Sequence, residues 1–268
     1  ETLKLISNLH PTAFSLTDKK SLTPGNVAVI HNQQNNVSYL LKHHPVAFDI
    51  PFTNGSRAIH FAGQHGRNEI ITQLHQLNPK ALHLKNKHGY TAATYAAISG
   101  KTSTIAHIYK LSSATLNHKT VSGRVVAHYA AMHDHTEILK EVIKINPLLI
   151  TVPDNDYNFT TPLEIAIKRR NLEIIELTFK NHRELLVDGG EFDNIPIHLI
   201  ARHCDINQLS AELRKHIIST PQENYLGETP LAIILKRTDV KCMKWLKKEK
   251  AIIPKSSIQS TLNKAVRG

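Results

Sequence analysis

The sequence predicts an all-α solenoid of about seven short helix–turn–helix units joined by short hairpin loops, and three features carry that prediction. A helix-opening position returns at residues 23, 57, 91, 125, 161, 195 and 229, at intervals of 34, 34, 34, 36, 34 and 34. Within a unit, apolar residues fall at helical spacing in two short runs. Ala58, Ile59, Phe61 and Ala62 form one run, and Ile70, Ile71, Leu74 and Leu77 the next. The punctuation keeps the same phase. The residue between the two helices is Asn32, Gly66, Gly100, Asp134, Arg170, Cys204 or Thr238, and Pro11, Pro45, Pro79 and Pro147 close second helices. Each helix then has one face it cannot bury alone, and stacking on the neighbouring unit buries it.

Taken in order, residues 3–16 already match a second helix, with LKLISNLHPTAFSL aligned to IITQLHQLNPKALHL and Pro11 in register with Pro79. Residues 1–21 are therefore expected to be a partial N-terminal capping repeat, and the chain to begin within a unit, as a piece of a longer protein would. Repeats follow over 22–250. The interval of 36 between 125 and 161 places two extra residues in the loop VPDNDYNF, which carries Tyr157 and Phe159. Beyond 250 the phase fades, but Ile258, Leu262, Ala265 and Val266 keep helical spacing behind Ser256 and Ser257, so 251–268 is expected to form a C-terminal capping helix.

These units resemble the ankyrin repeat, whose first helix reads Thr-Pro-Leu-His-x-Ala-Ala after an Asp-x-x-Gly-x hairpin. TPLEIAI from Thr161, TPLAIIL from Thr229, IPIHLIA from Ile195 and AIHFA from Ala58 carry the likeness, with Asn86, Gly89 and Thr91, and Asn224, Gly227 and Thr229, at hairpin-to-helix junctions. The copies are imperfect. Val125-Val126-Ala127 stands for Thr-Pro-Leu in one, and Gly25 for the Leu in another. The resemblance implies an ankyrin-repeat solenoid in which His60, His128 and His198 tie neighbouring hairpins together by hydrogen bonds.

Composition narrows the function classes. With 41% hydrophobic and 21% charged residues, the chain has no apolar run near the length of a membrane span. Cys204 and Cys242 lie in different units and form no paired motif, so an intracellular, cytoplasmic setting is expected. The net charge is +11 and the pI near 9.6. That excess bears on association and solubility, and where it is placed matters more than its sum. No HExxH, GxSxG or glycine-rich phosphate loop is present. His43-His44 and His133-x-His135 lack the further ligands a structural zinc needs. His203 and Cys204 are adjacent on a helix, about 100° apart, and do not face each other. We therefore expect no catalytic residues, no metal and no cofactor.

By the resemblance, the two positions after the Ala-Ala pair of each first helix line the concave surface that holds partners. They are Ile30-His31, Gln64-His65, Ile98-Ser99, Met132-His133, Lys168-Arg169, Arg202-His203 and Lys236-Arg237. The last three pairs are cationic, although from residue 135 onward the chain holds 20 Lys or Arg against 17 Asp or Glu, so the stripe is local placement. It could equally serve the negative ends of the helices it terminates. Tyr157 and Tyr225, at hairpin tips, are candidate anchors. The expected partner-binding set is Met132, His133, Tyr157, Lys168, Arg169, Arg202, His203, Tyr225, Lys236 and Arg237.

The implied function is binding of a protein partner, acidic or phosphorylated, by a monomer. Nucleic-acid or phosphoinositide binding through the same stripe, and a targeting role beside an enzyme domain, stay open as alternatives. Nucleic acid is less favoured, because few aromatic residues flank the stripe to stack on bases. The Lys-, Asn- and Ile-rich vocabulary is similar to that of secreted ankyrin effectors of intracellular bacteria. That likeness would place the protein in a host cell, bound to a host protein.

Overall fold

The computed structural model describes residues 1–156, 158–187 and 195–237, and every regular element there is helical. The helix expected over 251–268, the turn residue Thr238, Cys242 and Tyr157 lie outside the described residues. The chain divides into two compact units, Glu1–Glu141 and Val142–Gly268.

Unit 1 opens with α1 (Thr2–Leu9) and then holds helix pairs: α2 (Pro24–Ile30) with α3 (Gln34–His43), α4 (Ala58–His65) with α5 (Asn68–Leu77), and α6 (Ala92–Ile98) with α7 (Thr102–Leu111). After these come α8 (Val126–Met132) and α9 (Thr136–Ile145), within which the division falls. Local chemistry starts each first helix. Thr23 and Thr91 accept from the backbone N–H three residues on, and the Nδ1 atoms of His60 and His128 accept from the N–H of Arg57 and Val125. A left-handed residue then reverses the chain at Asn32, Gly66, Gly100 and Asp134, with φ of 56°, 69°, 69° and 57°. The prolines after second helices do more than stop them. Pro11, Pro45 and Pro79 each open a 3-10 turn, the position where a missing N–H costs nothing.

The core of unit 1 lies between the helix layers and is built from Val29, Val37, Ile70, Ile71, Leu82, Ile105 and Ile108, with alanines lining the first helices. Small residues let those helices approach closely: a Cβ on Gly63 of α4 would stand 2.3 Å from the Ala92 carbonyl oxygen of α6. Between hairpins and helices, the Tyr95 hydroxyl gathers Asn54, Ser56 and Asn86, and Tyr90 packs edge-on against Tyr95 and Tyr129.

Hairpin tips repeat one closed loop. The N–H of Asp18, Phe52, Asn86, Thr120 and Asn224 donates to the carbonyl four residues on, with a left-handed residue just before the closing one. In the loop from Asp154 the partner is Thr160, six residues on, so the two-residue insertion lies within the tip itself. Phe159 takes the left-handed place there, at φ 45°, where Gly89 and Gly227 have 78° and 66°.

Unit 2 contains α10 (Pro162–Lys168) with α11 (Leu172–Asn181), the short α12 (Glu184–Val187), α13 (Pro196–His203) with α14 (Ala211–Ser219), and α15 (Pro230–Lys236). Thr161 and Thr229 cap α10 and α15, each followed by a proline at the first helical position. One expectation fails here. The repeat phase places Cys204 at the interhelical turn, but its φ of −91° and ψ of 152° are extended. The second helix does not begin at Ile206, which instead starts a 3-10 turn ending at Gln208, and α14 starts at Ala211. Asp205 caps the 3-10 turn and Ser210 caps α14, so two local caps outcompete the phase. Among the described residues, no 3-10 turn follows α14. The element has moved from behind the second helix to in front of it, which preserves the interval to the next unit.

Candidate functional site

The family-pattern histidines are structural. His60 is buried, and its Nε2 donates to the carbonyls of Leu84 and Tyr90, both 3.1 Å away, in the following hairpin. Burial above all lowers its pKa from 6.5 to about 4, so the ring is neutral and its two nitrogens have opposite roles. His198 repeats the register in unit 2, donating to Gln222 O at 3.0 Å. At the equivalent place in the preceding repeat stands Glu164, whose buried carboxyl is raised above its ordinary value by desolvation, partly offset by Lys168.

Lys168, Arg169 and Arg170 end α10 and are exposed, and Arg170 has the left-handed φ of 59°. Lys168 reaches the Glu164 carboxylate at 3.4 Å. On α13, Arg202 is exposed and stands 3.9 Å from Glu228, while His203 is half-buried. Lys236, which ends α15, meets the same Glu228 at 2.5 Å. Two buried carboxylates, Glu164 and Glu228, thus lie under three of the cations. Arg237 is half-buried and turns its Nη1 onto the carbonyls of Ala201 and Cys204, at 2.8 and 2.7 Å, capping the end of α13.

This capping recurs in unit 1. Arg67 Nη2 donates to Ile30 O, and His135 Nε2 lies 3.0 Å from Ile98 O. In both cases a residue just past the turn satisfies a carbonyl at the end of the previous first helix. Part of the basic character foreseen for the helix ends therefore serves the stack.

Seven of the candidate residues lie among the described residues of unit 2: Lys168, Arg169, Arg202, His203, Lys236 and Arg237 at first-helix ends, and Tyr225. At the adjoining hairpin tip Tyr225 is 67% and Leu226 49% exposed. Met132, half-buried at the end of α8, and exposed His133, stacked on His135, belong to unit 1. Tyr157 is outside the described residues. Sequence reasoning did not foresee the roles of Glu164 and Glu228. Glu164 four residues before Lys168 was a readable helical pair, whereas Glu228 meets Lys236 across a hairpin junction.

Cys204 is fully buried and its thiol is pushed up to about 11 by desolvation, against the pull of Arg170 and Arg237, so it is no nucleophile at neutral pH. Among the described residues, no group of three or more His, Cys, Asp or Glu could hold a metal ion, and no helix is long and apolar enough to cross a membrane.

A family model described as ankyrin repeats (3 copies) matches residues 59–144. A search of the curated proteins finds no match. With its helix pairs, capped first helices and hairpin tips, the fold is an all-α ankyrin-repeat solenoid. Ankyrin repeats are in general protein–protein interaction modules without chemistry of their own. The match stops before α10, so the cationic helix ends lie beyond it.

Proposed function

We propose that this chain binds a protein partner through the first-helix ends and hairpin tips of unit 2, and that the partner presents an acidic or phosphorylated segment. The observation that carries this is a row of cationic side chains, Lys168, Arg169, Arg170, Arg202 and Lys236, exposed at the ends of three first helices beside the exposed Tyr225 and Leu226. Buried Glu164 pairs with Lys168, and buried Glu228 with Arg202 and Lys236, which steadies these three heads at the surface. Arginine suits the task because its planar fork can take a carboxylate or a phosphate with two parallel hydrogen bonds. Such a surface is already formed and costs little ordering on binding. The Lys-, Asn- and Ile-rich composition supports the narrower reading of a bacterial effector acting on a host protein inside a host cell.

The test is capture of partners from nuclease-treated eukaryotic lysate, with wild type beside a variant that reverses Lys168, Arg169, Arg202 and Lys236 and keeps its circular dichroism. A discrete protein held by wild type and lost by the variant is the expected result. Retention of the same protein by both variants would refute this placement of the site. Binding seen only when nuclease is omitted would replace the reading with nucleic-acid binding.

A further inference from the structure

We propose that His203 is the centre of a carboxylate-binding seat on unit 2, and that an acidic peptide binds there with uptake of one proton onto the His203 ring. This rests on the partner-binding reading above and specifies its chemistry and its dependence on pH.

The seat is defined by what converges on the end of α13. Arg237 donates to the carbonyls of Ala201 and Cys204, which fixes its guanidinium beside His203. Cys204 Sγ lies 4.0 Å from Ile167 O, which brings the end of α13 against the end of α10, where Lys168, Arg169 and Arg170 project. The half-buried ring of His203 is held below the ordinary histidine value, first by burial and then by Arg202, Lys168, Arg170 and Arg237. Glu164 sits under Lys168, Glu228 under Arg202 and Lys236, and Asp205 accepts from the N–H and Nδ2 of Asn207. The Cys204 thiol, pushed up to about 11, contributes no charge.

Among so many cations the unliganded ring is neutral near pH 7, with one nitrogen donating and the other only accepting. A carboxylate arriving there offsets the repulsion that keeps the ring neutral. Once protonated, the ring donates from both nitrogens and adds a charge-assisted bond. Ligand and proton therefore favour each other, and affinity must rise as pH falls through the window between the free and liganded states of His203. Packed helices stand about 8–10 Å apart, so three successive first-helix ends span roughly 20 Å. An extended peptide of about six residues, at about 3.3 Å each, covers that span, which favours a peptide over a single small anion.

Calorimetric titration of the whole chain with octa-aspartate at low ionic strength tests this, at pH 7.5 and 6.0 in buffers of different ionisation enthalpy. Aspartate stays ionised across that range, so the pH dependence reports the protein. The expected result is binding about fivefold tighter at pH 6.0, with net uptake approaching one proton. His203→Gln should lose both the gain in affinity at pH 6.0 and the proton uptake, with unchanged circular dichroism. His65→Gln should keep both, because His65 ends α4 in unit 1 and is no part of the seat on unit 2. Binding without proton uptake, or uptake that persists in His203→Gln, would overturn this inference and leave the partner-binding reading standing. No binding at either pH would overturn both. Tighter binding of an oligothymidylate of equal charge would overturn the assignment to a peptide.

Discussion

Replacing Gly63 with alanine sets two physical effects against each other, and the geometry decides the sign. In an ordinary helix the change stabilises by about 0.5–1 kcal/mol, because glycine carries excess freedom in the unfolded chain. Here the new Cβ would lie 2.3 Å from the oxygen, 2.8 Å from the carbon and 2.9 Å from the Cα of Ala92. All three are backbone atoms of α6, so no side chain can rotate away. Restoring ordinary contact near 3.5 Å requires α4 and α6 to part by roughly 1 Å. That opens the packing around Ala58, Ala62, Ala93 and Ala96, all fully buried. Overpacking of this kind costs about 1–3 kcal/mol, and backbone-on-backbone contact argues for the upper end. The net expectation is destabilisation by about 1–2 kcal/mol after the helix-propensity gain. Urea unfolding followed by far-ultraviolet circular dichroism measures it. A Gly63→Ala protein as stable as wild type, or more stable, would refute the close packing of the first helices.

Burial holds His60 near a pKa of 4, against 6.5 when exposed, so the unfolded chain binds the extra proton between those values. Stability is then full above about pH 6.5 and falls by up to about 3 kcal/mol as pH drops to 4, and His60→Gln should flatten that part of the urea-midpoint profile. Phe159 holds a left-handed φ of 45°, so Phe159→Gly is expected to raise thermal stability by about 1 kcal/mol, and a lowered midpoint would show that the ring outweighs the strain. In a Cys242→Ser background, Cys204 should resist a thiol reagent at pH 8 until the chain unfolds, because it is fully buried and its pKa lies near 11. Rapid labelling of the native protein would contradict its burial.

Much of the fold was legible because its determinants are local. Thr23, Thr91, Thr161 and Thr229 cap helices by bonding the N–H three residues on, and Gly66 and Gly100 supply the left-handed turn that glycine accepts without strain. The delayed helix in the repeat opening at Ile195 was not legible. Asp205 and Ser210 are both sound caps, and only packing decides which starts the long helix. The candidate site was readable as a run of residue types at phase-locked positions. What each charge does depends on contacts outside the repeat pattern. Lys236 meets Glu228 around a hairpin junction, and Arg237 spends a donor group on carbonyls of the preceding repeat. The phase places such side chains on one surface and leaves their hydrogen-bond partners undetermined.

The central claim is that partners are held at the first-helix ends of unit 2 and not by positive charge in general. Its most direct measurement compares two charge reversals in binding a captured partner protein. One alters Lys168, Arg202 and Lys236 at first-helix ends; the other alters Lys180 and Lys215, exposed on second helices. We predict at least a tenfold loss of affinity, about 1.4 kcal/mol, for the first reversal and less than a twofold change for the second. Equal losses in both would mean that net charge alone drives association, and a larger loss in the second would move the binding surface to the opposite helix layer.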